Sequence, residues 1–291
     1  MKNDHLGEHL IFVGGSPRSG TTMLQSMLNR HPAIFGGPEF DLIPTITNLR
    51  NQLLASHDNG RIDSFCDKTH IDRGIAQLIE ELLLPAATRN GKQWLSEKTP
   101  MNVLVFDPLL DILPRARFIH LVRDPRAVAL SMLAVADRYR QKGMEPPTMI
   151  ANPGQVIHTI LQHVKAGVEA SHKSPERVHT LKYEALLLKP HQATRDICMF
   201  LGLEWSESML DTHGGSHLST EQIAADGGIW IKDEKTADTP KETCLNKWKD
   251  GLSLAQQQEL SEVFHALPLY SELGYRFDDI DAPLETRRHA S

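Results

Sequence analysis

The chain has 291 residues, of which 40% are hydrophobic and 23% are charged, and its formal net charge is −6. This composition is typical of a globular protein with one large core, and the acidic balance argues against a nucleic-acid or anionic-membrane partner. No apolar stretch is long enough to cross a bilayer, so we expect no membrane span and no leader peptide.

The cysteines argue against a disulfide framework and against a zinc site. Cys66, Cys198 and Cys244 are far apart and form no CxxC motif, which favours a reducing compartment. His213 and His217 have HxxxH spacing, but they lie in a glycine-rich segment without a nearby third ligand. We therefore expect a cytoplasmic protein that binds no metal.

The first predicted unit runs from residue 10 to residue 31 and consists of a strand, a glycine loop and a helix. The apolar residues 10–13 predict a buried strand, which leads into the sequence GGSPRSGTT and then into an amphipathic helix. Such a loop binds phosphate, because its N–H groups and the positive end of the helix converge on one anion.

The spacing of this loop is nearly that of a P-loop. Gly15 and Gly20 are five residues apart, as in GxxxxGK[ST], but Thr21 and Thr22 occupy the positions of the lysine and the following hydroxyl residue. Without that lysine the loop lacks the usual charge for β- and γ-phosphates, and Arg18 supplies a cation from inside the loop. The sequence therefore favours one 5′-phosphate group with its substituent over a metal-bound triphosphate.

Strands and helices alternate along the rest of the chain. Further strands are predicted at 93–96, 117–122 and 177–183. Helices are predicted at 41–54, 71–84 (ended by Pro85), 103–113, 126–139, 155–172, 192–201 (closed by Gly202) and 253–267. Loops or exposed connections are predicted at 31–39, 56–70 and 142–154. This alternation predicts an α/β fold whose parallel sheet has helices on both faces and binds ligands beyond the carboxyl ends of its strands.

We expect one domain across residues 1–291, with a nucleotide-binding core at 9–210. Helical and loop insertions would cover the site, and the segment 212–250 would form the loop region over the nucleotide. The charged residues 278–291 are expected to form a frayed tail.

A second polar pair follows the predicted strand at 117–122. Arg123 comes directly after this strand, and Ser131 lies about two helical turns further on, at about 3.6 residues a turn. The pair could bind a second anion, but on spacing alone the favoured alternative is an arginine bonded to a carbonyl and a serine on a helix surface. Asp124 and Pro125 fit the N-cap and the first helical position.

Three motifs together resemble the sulfotransferase superfamily. They are GGSPRSGTT after a strand, FIHLVRDPRAVALSM, and LKYEALLLKP after the third strong strand. The resemblance covers about residues 10 to 210 and is strongest to the branch that contains tyrosylprotein sulfotransferases and many bacterial relatives. It implies a P-loop-like central parallel sheet flanked by helices. It also implies 3′-phosphoadenosine 5′-phosphosulfate (PAPS) as co-substrate, without a metal.

The resemblance also implies which residues bind the nucleotide. The 5′-phosphosulfate would be held by Pro17, Arg18, Ser19, Gly20, Thr21 and Thr22. Arg123 and Ser131 would hold the 3′-phosphate, and Tyr183 would lie near the nucleotide or be only a half-buried strand tyrosine. Lys232, Lys247 and Lys249 are alternative 3′-phosphate contacts or solvated lysines, and Gly214, Gly215 and Ser216 resemble a covering loop of relatives.

Two further residues are implied in the chemistry. Glu39, in the loop after the first helix, would take the proton of the acceptor hydroxyl, with a solvated glutamate as the alternative and His31 as a competing base. Lys98 would approach the oxygen that bridges phosphate and sulfate, where negative charge builds as the S–O bond breaks. Its alternative is a solvated lysine, and Arg18 would share the charge of the leaving phosphate.

The sequence therefore predicts a PAPS-dependent sulfotransferase. It would transfer the sulfuryl group in line to a hydroxyl or amine of a small molecule, a peptide or a carbohydrate, and it could form a homodimer. The alternatives are a P-loop phosphotransferase that uses ATP and Mg²⁺, and a non-catalytic nucleotide-binding protein on the same fold.

Overall fold

A parallel sheet organises the first of two compact units of the chain. The computed structural model describes residues 5–211, 229–230 and 241–277. The first unit takes in the described parts of 1–122 and 162–228, and the second those of 123–161 and 229–291. The sheet has five strands, all of them in the first unit: β1 (Leu10–Gly15), β2 (Ile34–Gly36), β3 (Trp94–Lys98), β4 (Arg117–Val122) and β5 (Val178–Lys182).

All strand pairs are parallel, in the order β2-β3-β1-β4-β5, which confirms the predicted α/β fold. Both faces of the sheet are covered. Leu10, Phe12 and Phe118 belong to one buried cluster, and Val13 and Ile119 belong to another. These strands are therefore apolar on both faces, as expected for a parallel sheet beneath two layers of helices.

The edge strand β2 corrects one expectation, since residues 31–39 were predicted to be a loop. Ile34 pairs with Trp94 and Gly36 with Ser96 in the register of β2 and β3. A strand of three residues is too short to show periodicity, and pairing with β3 decides its conformation.

Each predicted helix is present at least in part, most with bounds a few residues from the prediction, and the described residues form three further helices, at 183–188, 241–251 and 268–272, that the sequence did not predict. In chain order they are α1 (Thr21–Arg30), α2 (Ile43–Asp58), α3 (Lys68–Arg89), α4 (Phe106–Ile112), α5 (Pro125–Gln141), α6 (Pro153–Lys173), α7 (Tyr183–Leu188), α8 (Pro190–Leu201), α9 (Lys241–Gly251), α10 (Leu254–His265) and α11 (Pro268–Glu272). Short 3₁₀ turns occupy Pro100–Val105, Thr148–Ile150 and Glu207–Leu210.

The prediction that Pro85 ends the third helix is wrong. The helix α3 continues to Arg89 with Pro85 inside it. A proline in a helix interior costs about 3 kcal/mol, because it removes one hydrogen bond and crowds the preceding turn. Leu83 and Ala87 are both buried on either side of it, so core packing of the last turns offsets that cost.

Two other boundaries also differ from the predictions. The third strong strand ends at Lys182, and Tyr183 is the first residue of α7 rather than the last of a strand. The predicted helix at 103–113 is a 3₁₀ turn followed by α4. Gly202 closes α8 with a φ of 71°, in the left-handed conformation that glycine adopts without strain.

The second unit begins at Arg123 and contains α5. Asp124 is the N-cap of α5 and accepts from the N–H of Arg126, and Pro125 is the first helical residue, as predicted. The guanidinium of Arg126 lies 3.8 Å from the ring centre of Trp248, which is buried. The helix α9 begins at Lys241, inside the segment 212–250 that the sequence predicts to be a loop region.

Several predictions fall on residues outside the described part of the chain. These are the possible ligands His213, His217 and Lys232, the Gly214–Ser216 motif, and the tail at 278–291. Among the residues that the structure does describe, no helix is both long and apolar enough to cross a bilayer.

Candidate active site

The glycine loop connects β1 to α1 and is shaped by close backbone approaches. A Cβ atom on Gly15 would lie 2.3 Å from the carbonyl oxygen of Leu121 on β4, so only glycine fits there. Gly20 has a φ of 101°, and the non-glycine residue Arg18 has a φ of 71°. The N–H of Ser19 donates to the carbonyl of Ser16 at 3.0 Å and closes the turn.

The start of α1 offers uncapped N–H groups to this loop. Gly20 is the N-cap, and no side chain of the described residues caps the helix. The N–H groups of a helix's first turn have no partner earlier in the helix, and the helix dipole adds about half a positive charge there. The Oγ of Ser19 is buried and has no hydrogen-bond partner among the described residues. This arrangement can bind an anion.

Tyr183 packs directly on the loop. A Cβ atom on Gly20 would lie 2.3 Å from Cδ2 of Tyr183, so the ring occupies the space that a side chain would need. The half-buried Tyr183 thus lies beside the loop that was predicted to hold the nucleotide. Thr21 is buried and Thr22 is exposed in the first turn of α1.

Glu39 and Lys98, far apart in the sequence, form an ion pair. Lys98 is the last residue of β3 and lies in register with Val13, directly before the glycine loop. Its Nζ donates to Oε1 of Glu39. The side chain of Lys98 is 4% exposed, which rules out a solvated lysine, whereas that of Glu39 is 32% exposed.

The sequence reasoning missed Glu97, the residue before Lys98. Its carboxylate is buried, and Oε1 accepts from the N–H of Phe40 at 3.1 Å and from Oγ1 of Thr99 at 2.7 Å. Oε2 accepts from Nδ2 of Asn102. Burial raises the pKa of Glu97, and the hydrogen bonds from Thr99, Asn102 and Phe40 act against that rise. The run of polar residues around Lys98 was the available signal.

A second set of bonds ties the same loop to α1. Nε2 of Gln25 donates to the carbonyls of Gly37 at 3.1 Å and Ser96 at 2.9 Å, and Oγ of Ser96 donates back to Oε1 of Gln25 at 2.7 Å. Oδ1 of Asn29 accepts from the N–H of Gly36 at 2.8 Å. The loop that carries Glu39 is therefore attached on two sides.

His31 is not placed to act as the base. It is the C-cap of α1, at the opposite end of that ten-residue helix from the glycine loop, which is about 15 Å away. Its Nδ1 accepts from the N–H of Ala33 at 3.1 Å, so Nε2 donates to the carbonyl of Glu204 at 2.8 Å. Both ring nitrogens therefore have structural partners.

The second unit holds the remaining predicted nucleotide ligands. Nη2 of Arg123 donates to the carbonyl of Cys244 at 3.3 Å. Ser131 on α5 and Lys247 on α9 are both half-buried. The carboxylate of Asp124 accepts two hydrogen bonds from the guanidinium of Arg126, at 2.8 and 3.1 Å. Its partners are thus at the start of α5.

No metal-binding cluster is found among the described residues. In that part of the chain, no three side chains of histidine, cysteine, aspartate or glutamate lie close enough together to hold one metal ion. The three cysteines are free thiols. The described part of the first unit brings together a glycine loop, the buried Lys98 and the carboxylate of Glu39.

A parallel sheet with a glycine loop between β1 and α1 defines an α/β protein of the P-loop-like class. The family model described as "Sulfotransferase family" matches residues 11–207, which is more than half of the chain. The chain therefore belongs to the sulfotransferase family, and it is a sulfotransferase.

Relatives with established names agree with this assignment. Protein-tyrosine sulfotransferase 2 of Gallus gallus is 26% identical over 279 residues, covering 91% of this chain and 69% of that protein. The solved sulfotransferase domain from the curacin biosynthetic pathway has a TM-score of 0.60 at 20% identity, covering 92% of this chain and 98% of that one. A mouse sulfotransferase, SULT7A1 complexed with PAP, has a TM-score of 0.51 at 17% identity, covering 96% and 89%.

Proposed function

We propose that this sulfotransferase transfers the sulfuryl group of PAPS to an acceptor hydroxyl, with Glu39 as the base and Lys98 as the cation at the leaving oxygen. One observation carries the proposal. The pair of Glu39 and Lys98 lies at the carboxyl end of β3, and Lys98 is in register with the residue before the glycine loop. Base, cation and anion-binding loop thus share one edge of one sheet.

The glycine loop would hold the 5′-phosphosulfate. Its N–H groups, the uncapped start of α1 and Arg18 provide the donors and charge that a phosphate with a sulfuryl substituent needs. The solved mouse relative with PAP supports this donor class, since PAP is the product that PAPS leaves. The family resemblance suggests that Arg123, Ser131 and Lys247 bind the 3′-phosphate and that Tyr183 contacts the nucleotide.

The reaction would be an in-line displacement at sulfur. The acceptor oxygen forms a bond to sulfur while the bond from sulfur to the bridging phosphate oxygen breaks, and its electron pair stays on the departing phosphate. Glu39 takes the proton of the acceptor hydroxyl. Lys98, Arg18 and the loop N–H groups stabilise the charge that develops on the phosphate, more strongly in the transition state than in the ground state.

The acceptor is proposed to be a phenolic hydroxyl, with a tyrosine in a peptide as the first candidate. The name of the chicken relative, a protein-tyrosine sulfotransferase, supports this choice. A small-molecule or carbohydrate hydroxyl is the second candidate. A cytoplasmic location and a homodimer stay predictions from the sequence.

The test is a screen of tyrosine peptides, small phenols and sugars with labelled PAPS, read by mass spectrometry in the presence of a chelator. We expect transfer without metal, and loss of transfer but not of PAP binding in the Glu39→Gln variant. Transfer of phosphate from ATP with Mg²⁺ would instead indicate the phosphotransferase. Binding of PAP without transfer to any acceptor would indicate the non-catalytic nucleotide-binding protein.

A further inference from the structure

Two successive backbone amides follow Glu39, and both are bonded to side chains at the end of β3. The N–H of Phe40 donates to Oε1 of Glu97 at 3.1 Å, and the N–H of Asp41 donates to Oγ1 of Thr99 at 3.2 Å. Thr99 in turn donates its hydroxyl hydrogen to the same Oε1 of Glu97 at 2.7 Å. Glu97 and Thr99 thus form one acceptor unit for the loop that carries the proposed base.

We propose that Glu97 and Thr99 are positioning residues that fix the carboxylate of Glu39 for proton removal from the acceptor. This inference rests on the proposed function, because it assigns them an effect through Glu39 alone. We assign neither residue a contact with PAPS or with the molecule that receives the sulfuryl group. Their proposed role is to hold in place the backbone next to Glu39.

The buried setting explains why an acid is needed at position 97. Glu97 is 2% exposed, and a carboxylate in such a place is tolerated only when donors surround it. It receives three donors: the amide of Phe40, the hydroxyl of Thr99 and the side-chain amide of Asn102. No neutral side chain of this size offers two oxygens that both only accept hydrogen bonds.

The loop contains a backbone conformation that is unfavourable for its residue type, and these hydrogen bonds stabilise it. Asp41 has a φ of 63°, a left-handed conformation that costs a non-glycine residue roughly 1–2 kcal/mol. Its N–H bond to Thr99 and the neighbouring bond from Phe40 to Glu97 stabilise this turn. Through this turn, the bonds fix the direction in which the side chain of Glu39 points.

The end of β3 thereby positions both Lys98, which it carries, and Glu39, whose loop it holds. Lys98 lies between Glu97 and Thr99 in the chain and contacts the side chain of Glu39, while its two neighbours hold the backbone that follows Glu39. A displacement of about 1 Å in such a group can lower a rate about 100-fold, because proton transfer requires close approach. Loss of the two backbone bonds is expected to act in this way.

The first test compares Thr99→Val with Thr99→Ser in the full chain. The valine variant keeps the shape of threonine but removes the acceptor for Asp41 and the donor to Glu97. We expect its kcat to fall about 10- to 100-fold, with the dissociation constant of PAP within about twofold of the parent. The serine variant retains the hydroxyl and is expected to restore most of kcat. An unchanged kcat in Thr99→Val would overturn the inference.

The second test asks whether the effect passes through the base. With phenol acceptors of increasing acidity, proton removal becomes less important, so the loss in Thr99→Val should shrink, as should the loss in Glu39→Gln. A loss that is equal for all phenols would mean that Thr99 acts elsewhere and would overturn this inference while leaving the proposed function intact. Full activity of Glu39→Gln would remove the proposed base, and the positioning role would fall with it.

Glu97→Gln provides an independent variant with a larger expected loss. The glutamine amide would bring hydrogens towards partners that are themselves donors. Hydrogen exchange of the segment 36–41 should rise in this variant and in Thr99→Val, but not in Thr99→Ser. Unchanged exchange in both variants would show that the loop does not depend on these bonds, and would contradict the inference without recourse to activity.

Discussion

The ends of β1 and β3 are neighbours in one sheet, yet they are built in different ways. At the end of β1, backbone geometry shapes the candidate site: only glycine fits at position 15, Gly20 has a positive φ, and α1 begins without a side-chain cap among the described residues. At the end of β3, side chains make it: Glu97, Lys98 and Thr99 are all buried, and each is bonded to the loop after β2.

From this difference we infer that the end of β1 serves nucleotide binding and the end of β3 serves the chemistry. A backbone site depends on residues that are adjacent in the chain, so it can be recognised as a motif, and it offers donors to an anion. A side-chain site depends on partners that are about 57 to 59 residues away in the chain, and it can orient a base and a cation. We therefore expect changes at β3 to affect the rate and changes at β1 to affect nucleotide binding.

The largest expected effect is that of Lys98→Ala on the rate. Removal of the cation that we propose at the leaving oxygen should lower kcat about 10²- to 10³-fold, or about 2.7–4 kcal/mol, because the charge on that oxygen is greatest in the transition state. Steady-state kinetics and a PAP titration measure this, and PAP affinity should change much less. Lys92→Ala is the matched control, since Lys92 precedes the same strand and, among the described residues, its ammonium donates to the carbonyls of His31 and Pro32 alone. Equal losses in kcat and PAP affinity would mean that Lys98 only binds the nucleotide.

Gly20→Ala should affect the β1 site next most strongly. The new Cβ would lie 2.3 Å from the ring of Tyr183, on a backbone with a φ of 101°. We expect a loss of about 2–3 kcal/mol in the free energy of unfolding and a clear loss of PAP binding.

Gly91→Ala is the control for the glycine prediction. Gly91 also has a positive φ, of 65°, but an added Cβ would meet nothing within 4 Å. Its cost should be only about 1 kcal/mol, without an effect on PAP binding. Chemical denaturation of both variants gives the comparison, and equal costs would show that the contact with Tyr183 does not matter.

Gln25→Leu tests how far α1 supports the β3 site. The substitution removes the bonds to Gly37 and to both the backbone and side chain of Ser96. We expect a loss of about 2 kcal/mol in stability, because buried partners are left unsatisfied, and a fall in kcat through the loop that carries Glu39. Gln258→Leu is the control: its side chain lies on an exposed helix face and donates to Glu262, and the substitution should change neither quantity. A Gln25→Leu enzyme with an unchanged kcat would show that the bonds from β3 suffice.

The smallest expected effect on activity concerns His120 on β4, which is buried and is not part of the network around Glu97. Burial lowers the pKa of His120 to about 3, with a further contribution from the charge of His163, and neither ring nitrogen has a hydrogen-bond partner among the described residues. The unfolded chain takes up this proton near pH 6.5, whereas the folded protein does so only near pH 3. Stability due to neutral His120 is therefore present above about pH 6.5 and is lost as the pH falls towards 3, at up to about 1.4 kcal/mol per pH unit.

Denaturation curves between pH 7 and pH 5 test this prediction, with His120→Leu as the comparison. The variant should have a smaller fall in stability over that range, because its apolar side chain takes up no proton in the unfolded chain. Identical slopes for the parent and His120→Leu would contradict the assignment.

The sequence by itself determined the alternation of strands and helices, the glycine loop and the capped start of α5. All of these depend on residues close together in the chain: apolar runs, glycines at fixed spacing, and the Asp124-Pro125 pair. Glu39 and Lys98 were found by the resemblance of their surroundings to a family, and their pairing was not visible in the sequence.

Only the tertiary structure decided the short strand β2, the passage of α3 through Pro85 and the bonds of Glu97. Each depends on a partner distant in the chain: the pairing of Ile34 with Trp94, the core around Leu83 and Ala87, and the amide of Phe40. Local sequence patterns indicate which secondary structure a segment favours. Burial and hydrogen bonding across the sheet then add free energies of about 1–3 kcal/mol, which are large enough to override those preferences.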